Sequence, residues 1–195
     1  NVCILLHGWT GNEHSMSVFH SNATGPGISI APRGNIVITE GQYGWVDISS
    51  KKHPSFSPLA KGATSLHQSI INTLKSISIK NKPLNIIGFS QGGVMALMLV
   101  LLYPKTYKNI AILSSFLPAD IPNYSSSHLS QNRFFISHGA KDDIVDFSQA
   151  EKTNSYLLTL SAQTNFCHED VGHKVGGQCL IDLKLFFRNS SALEK

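Results

Sequence analysis

The 195 residues carry 16 Lys and Arg against 12 Asp and Glu, a formal net charge of +4, and 42% are hydrophobic. That length suits a single domain spanning 1–195, and an ordinary apolar share with no dominant residue type excludes collagen, solenoid and disordered chains. The basic residues are scattered, with Lys51–Lys52 the only adjacent pair, so the charge reads as solvated surface and not as a nucleic-acid footprint.

Cys3, Cys167 and Cys179 cannot all pair internally, and none stands in a C-x-x-C spacing. They read as three reduced thiols in a reducing, cytoplasmic compartment, with neither a zinc site nor a redox pair. The longest apolar stretch, Val94–Leu102, is far short of the ~20 residues that cross a bilayer, so no stable membrane insertion is expected. No signal-peptide pattern is present. Because the chain opens at Asn1, a removed leader stays open.

Taken in chain order, strand-like apolar runs alternate with helix-like segments. Val2–Leu6 is a short buried-strand pattern ending at His7-Gly8. Ile28–Ala31 and Ile36–Thr39 follow, with Pro32 and Gly34 between them. From Ala63 to Ile79 apolar residues fall at Leu66, Ile70, Leu74 and Ile77, a helical spacing, stopped by Asn81, Lys82 and Pro83. Leu84–Phe89 is the next strand. Val94–Leu102 is apolar all round, the pattern of a buried helix. Asn109–Leu113 and Arg133–Ser137 read as strands, Phe147–Ser161 as a helix, Thr164–Cys167 as a strand and Gln178–Phe187 as a closing helix. This alternation implies an α/β fold, a mostly parallel sheet with helices on both faces. It does not by itself select a function.

The chemistry is carried by Gly88-Phe89-Ser90-Gln91-Gly92. A serine hydroxyl must be exposed and within reach of a base to act as a nucleophile. A sharp strand-to-helix turn does this, and small flanking residues let the backbone make it. An acid and a histidine then follow in the chain order such sites use. Asp142 and Asp143 lie just past the Arg133–Ser137 strand, where an acid can fix the tautomer of an imidazole; one of the two serves as a cap or a surface charge. Among nine histidines His173 is favoured, since it follows the last strand in the run Val171-Gly172-His173-Lys174-Val175-Gly176-Gly177. His168 is its nearest rival. His7 shapes the loop beside an oxyanion hole, and His14, His20, His53, His67, His128 and His138 default to surface or packing roles. The loop His7-Gly8-Trp9-Thr10-Gly11 suits one oxyanion donor, the backbone N–H of Trp9, with the second from Gln91. No His, Asp, Glu or Cys grouping has metal-ligand spacing.

These residues resemble the phospholipase/carboxylesterase family of small α/β-hydrolases, which includes the acyl-protein thioesterases and compact bacterial carboxylesterases. The resemblance runs through Leu6-His7-Gly8-Trp9-Thr10-Gly11, Ala31-Pro32-Arg33-Gly34, Gly44-Trp45-Val46-Asp47, Gly88-Phe89-Ser90-Gln91-Gly92-Gly93, Leu113-Ser114-Ser115-Phe116-Leu117-Pro118, His138-Gly139 and Gly172-His173. It implies an α/β-hydrolase fold, with Ser90 as nucleophile, Asp142 as acid and His173 as base. It further implies hydrolysis of a small-molecule carboxylic ester or thioester through an acyl-enzyme, with no metal or organic cofactor. Two departures stand out: Asp146 where relatives often carry Pro, and Lys174 where Glu is common. Only about a dozen residues separate Pro118 from the strand at Arg133, too few for a multi-helix cap, so a shallow open cleft is expected. Trp9, Phe116 and Leu117 are candidates to line it. The alternatives are a lysophospholipase or polysaccharide-ester esterase on the same site, and a catalytically silent binding protein on the same scaffold. A nucleotide binder is disfavoured because the glycine spacing does not cradle a pyrophosphate. The oligomeric state is open.

Overall fold

The computed structural model describes residues 1–19, 27–47, 54–79 and 83–192. His20, His53, the Lys51–Lys52 pair and the Asn81–Lys82 helix stop lie outside these residues. The apolar runs form strands β1 (Val2–Leu6), β2 (Ile28–Ile30), β3 (Ile36–Thr39), β4 (Gln42–Gly44), β5 (Leu84–Phe89), β6 (Tyr107–Leu113), β7 (Arg133–Gly139) and β8 (Gln163–Glu169). The helices are α1 (Phe56–Ser76), α2 (Gln91–Leu102), α3 (Ser148–Thr159) and α4 (Gly177–Ala192). Six strands make one sheet in the order β2-β1-β5-β6-β7-β8, and every neighbouring pair in it is parallel.

Two elements differ from the sequence expectation. Ile36–Thr39 does not join the parallel sheet; it pairs antiparallel with the short β4 in a hairpin of its own. The hairpin turns at Gly41, whose φ of +75° suits a residue without a side chain. Helix α1 starts at Phe56, ahead of the expected Ala63, because Pro58 lies in the first turn, where its missing N–H costs no helical hydrogen bond.

Alternate residues of each central strand serve opposite faces. Ile4, Leu6, Ile86, Ile110, Ile112, Phe134 and Ile136 pack against α1, α2 and α3. Leu5, Ile87, Ala111, Leu113 and Phe135 meet Leu183, Phe186 and Phe187 of α4, with Met16 and Phe19 beside them. Helix α2 is buried on every side from Gln91 to Leu101, as its uniform hydrophobicity predicts. Between β6 and β7 the described chain contains no helix, so no large cap stands there.

The seat of α2 is set by backbone contact. A Cβ on Gly92 would lie 2.1 Å from the Leu6 carbonyl oxygen, and one on Gly88 would lie 2.2 Å from the Gly92 carbonyl oxygen. Only hydrogen fits at either point. Gly92→Ala is therefore expected to lower stability by at least the roughly 1–3 kcal/mol typical of an overpacked site, read from denaturant midpoints. Gly177→Ala, where a Cβ would meet nothing within 4 Å, should stay within about 0.5 kcal/mol of the parent.

Candidate active site

In the parallel sheet the chain leaves β1 towards β2 on one side, then returns to build β5, β6, β7 and β8 on the other. The carboxyl ends of β1 and β5 thus diverge at a switch point, where open α/β sheets form their binding crevice. The segments following β1, β5, β7 and β8 carry Trp9, Ser90, Asp142 and His173.

Ser90 occupies the turn between β5 and α2 with φ 52° and ψ −118°, a backbone state that L-residues hold only under constraint. The constraints are visible. The Ser90 N–H donates to the Leu113 carbonyl at 2.8 Å, and the Ser90 carbonyl accepts from the N–H of Gly93 at 2.9 Å and from the Ser115 hydroxyl at 2.7 Å. Thr10 and Ser114, on neighbouring loops, also have positive φ, 64° and 46°. Three of the five non-glycine residues with positive φ among those described thus lie at this edge; Ser78 and Ser161 follow helices α1 and α3. Among the described residues no hydrogen bond engages the Ser90 hydroxyl.

The loop after β1 lies against Ser90: a Cβ on Gly8 would be 3.2 Å from the Ser90 Cβ. Its shape comes from His7, fully buried. The His7 Nδ1–H donates to the Gly8 carbonyl at 2.7 Å, and Nε2 accepts from the Gly34 N–H at 2.9 Å. That second bond needs a lone pair, so the ring is neutral in the fold, and burial holds its pKa below the ordinary 6.5. The Gln91 side chain fastens the β3–β4 hairpin to the same place. Its Oε1 accepts from the Trp45 N–H at 2.8 Å and its Nε2 donates to the Val46 carbonyl at 2.6 Å; the Trp45 indole N–H returns to the His7 carbonyl at 2.7 Å. The Trp9 indole packs on Gly44, where a Cβ would come 2.3 Å from the ring. As the first residue of α2, Gln91 has a backbone N–H with no intrahelical acceptor.

Asp142 and His173 are brought together. The His173 Nδ1–H donates to Asp142 Oδ2 at 2.7 Å, and the Asp142 side chain has no exposure. Its other oxygen, Oδ1, accepts the N–H groups of Ile144 at 3.0 Å and Val145 at 2.9 Å. Asp143 is exposed. Asp146, at the departure from the family's Pro, accepts the Ser148 N–H at 2.9 Å at the start of α3. The rival His168 sits exposed on β8, its ring against Phe147. His67 bonds the Tyr107 hydroxyl and stacks on Tyr103, and His128 donates to the Leu101 carbonyl; both have packing roles.

Sequence reasoning assigned His138 no part, yet it is buried beside the acid. Its Nε2–H donates to the Val145 carbonyl at 2.8 Å and lies 3.2 Å from Asp142 Oδ2. The available signal was its place in a His-Gly at a strand's carboxyl end, matching His7-Gly8 after β1. Glu13, on the loop after β1, pairs through both oxygens with the Arg33 guanidinium, which holds its carboxyl down to about 2.

One expectation is corrected. Cys167 and Cys179 form a disulfide, and only Cys3 is free, buried in the sheet. The cysteine argument for a reducing compartment therefore falls away. The bond joins β8 to α4 and closes the loop that holds His173, which Glu169 also braces by accepting the Cys179 N–H at 2.8 Å. Phe116 is 4% exposed within the core and Leu117 packs against that core; the apolar cavity at this edge is lined by other residues, among them Met16, Val18, Phe19, Phe89, Val175 and Leu180. Among the described residues no helix is long and apolar enough to cross a membrane.

The sequence profile of the phospholipase/carboxylesterase family matches residues 1–191. A probable carboxylesterase of Oryza sativa subsp. japonica is 28% identical over 153 residues, 74% of this chain and 57% of that protein. Carboxylesterase SOBER1 of Arabidopsis thaliana is 32% identical over 101 residues, 48% of this chain and 42% of that one. The chain thus spans about half the length of the curated relatives it matches. Among solved structures, the Bacillus cereus carboxylesterase has a TM-score of 0.87 at 20% identity, covering 97% of this chain and 88% of that one. For SOBER1 the TM-score is 0.77 at 22% identity, covering 97% and 98%. These likenesses show the fold.

Two outcomes follow from the site's supports. Unreduced, denatured protein should show one titratable thiol, and removing both Cys167 and Cys179 by substitution to Ala should cost about 3 kcal/mol, the loop-closure value for this spacing, in chemical denaturation. At His7 the unfolded chain binds a proton that the fold rejects. Its contribution to stability is complete above pH 6.5 and declines as pH falls below that value. Denaturation midpoints from pH 7.5 to 5.5 should therefore fall more steeply for the parent than for His7→Gln.

Proposed function

The chain belongs to the phospholipase/carboxylesterase family of α/β-hydrolases, and on that premise we propose a serine hydrolase that cleaves carboxylic esters or thioesters through an acyl-enzyme. Ser90 is the nucleophile, His173 the base and Asp142 the orienting acid, on one domain. The observation that carries this is the 2.7 Å bond from His173 Nδ1–H to Asp142. Asp142 already accepts two backbone N–H groups, so it stands as an acceptor, and the ring proton resides on Nδ1. Nε2 then keeps its lone pair for the serine proton.

In this mechanism the Ser90 oxygen attacks the substrate carbonyl as His173 takes its proton. The backbone N–H groups of Trp9 and Gln91 stabilise the oxyanion, a contribution worth ~10²–10³ in kcat per donor in other enzymes. The imidazolium, held by Asp142, gives its proton to the departing alcohol or thiol. Water then repeats the sequence on the acyl-enzyme, with the same base and no metal or cofactor.

A fluorophosphonate probe should label the protein once, and Ser90→Ala should abolish labelling while keeping the parent's thermal transition. Retained labelling would exclude Ser90. Asp142→Asn can select the wrong imidazole tautomer, an effect of ~10⁴ in kcat in a serine protease. Asp143→Asn, at an exposed position, should leave ester hydrolysis near the parent rate. Steady-state kinetics on one p-nitrophenyl ester distinguishes the two acids.

A further inference from the structure

An apolar cavity of about 370 Å³, bordered by Gly8 and by Phe89, the residue before Ser90, opens on the α4 face of the sheet. Met16, Val18, Phe19, Val175 and Leu180 line it together with Phe89. Gly8, which approaches the Ser90 Cβ, also borders it. Its size falls at the small end of ligand cavities, which run from roughly 300 to 1,000 Å³. It suits one alkyl chain of a few carbons or a single aryl ring, and it is too small for a diacylglycerol or a sugar polymer.

We propose that this cavity receives the leaving group, so that the preferred substrates are esters or thioesters of a small apolar alcohol or thiol. The proposal rests on Ser90 and His173 acting as described above. During acylation the Ser90 Oγ–carbonyl carbon bond forms, the bond from that carbon to the alcohol oxygen or thiol sulfur breaks, and the proton taken from Ser90 passes through His173 to the departing atom. The departing atom must therefore lie beside the imidazole. The cavity wall begins there: Lys174 and Val175 directly follow His173 in the chain and line the cavity, and the Phe89 ring stands 5.0 Å from the His173 ring. A chain extending from an atom at the base runs across Phe89 into the space between Val175 and Met16. The exposed Lys174 marks the solvent rim.

Two ladders of substrates test this on the intact protein. Along acetates of ethanol, propanol, butanol and hexanol, kcat/KM should rise about two- to fourfold per methylene, the upper value being that of full burial. Val18 is 50% exposed, so it can be changed at little cost to folding. Val18→Asp should flatten the alcohol ladder, and Val18→Trp, by filling the space, should lower kcat/KM for hexyl acetate more than for ethyl acetate. Neither should alter the ladder of ethyl esters from acetate to hexanoate. A change confined to the acyl ladder would make this the acyl site and overturn the proposal, as would two unchanged ladders. Fluorophosphonate labelling of the same preparations separates the causes: absent labelling of the parent defeats the serine mechanism, whereas a labelled protein with flat ladders defeats the cavity assignment alone.

Discussion

Helix α2 can rest on the sheet only because the Gly92 backbone touches the Leu6 carbonyl with no side chain between them. Much of the site depends on that approach. It brings the free amide end of α2 over the crevice between β1 and β5, and it makes the chain turn so tightly at Ser90 that φ becomes positive. Bonds from Leu113 and Ser115 then hold the turn. With the helix seated, Gln91 reaches the hairpin segment Trp45–Val46, and Trp45 reaches back to His7. A closed ring of contacts thus joins the turn at Ser90 to the loop that follows β1.

Asp142 meets the second constraint, which is electrostatic. A carboxylate without solvent exposure needs compensating hydrogen bonds, and it has two backbone amides and His173 as donors. His138 stands against the same oxygen, and its Nδ1 is buried with no partner among the described residues. Its bond to the Val145 carbonyl ties the loop carrying the acid to the end of β7, so the turn that presents Asp142 is braced at both the side chain and the backbone.

What the sequence disclosed follows from how local each signal is. β1, β5 and α2 are continuous apolar runs bounded by glycine or proline, and their places were legible to within a few residues. The elbow was legible because a tight turn demands small residues at fixed offsets. The β4 strand was not, since three residues with one buried position carry no period. Nor was the disulfide: Cys167 and Cys179 are adjacent only once β8 and α4 pack, and spacing along the chain does not encode that. His138 and Arg33 escaped for the same reason, because their partners are set by loop geometry. Phe116 was a candidate for the cleft on its place in a family motif, and its side chain is buried with the core.

Among the described residues strand β8 is an edge strand, paired on one side only, to β7, and its side chains are largely exposed or half-buried. Edges of this kind open locally at lower free energy than the strands between them. His173 hangs from this strand, whereas Ser90 hangs from the fully flanked β5. The two halves of the site therefore belong to regions of unequal protection. Amide exchange at β8 would run ahead of exchange at β5, and mild denaturant would part the His173 loop from Ser90 before the sheet as a whole melts. The covalent tie from Cys167 to α4 is placed where it narrows that gap.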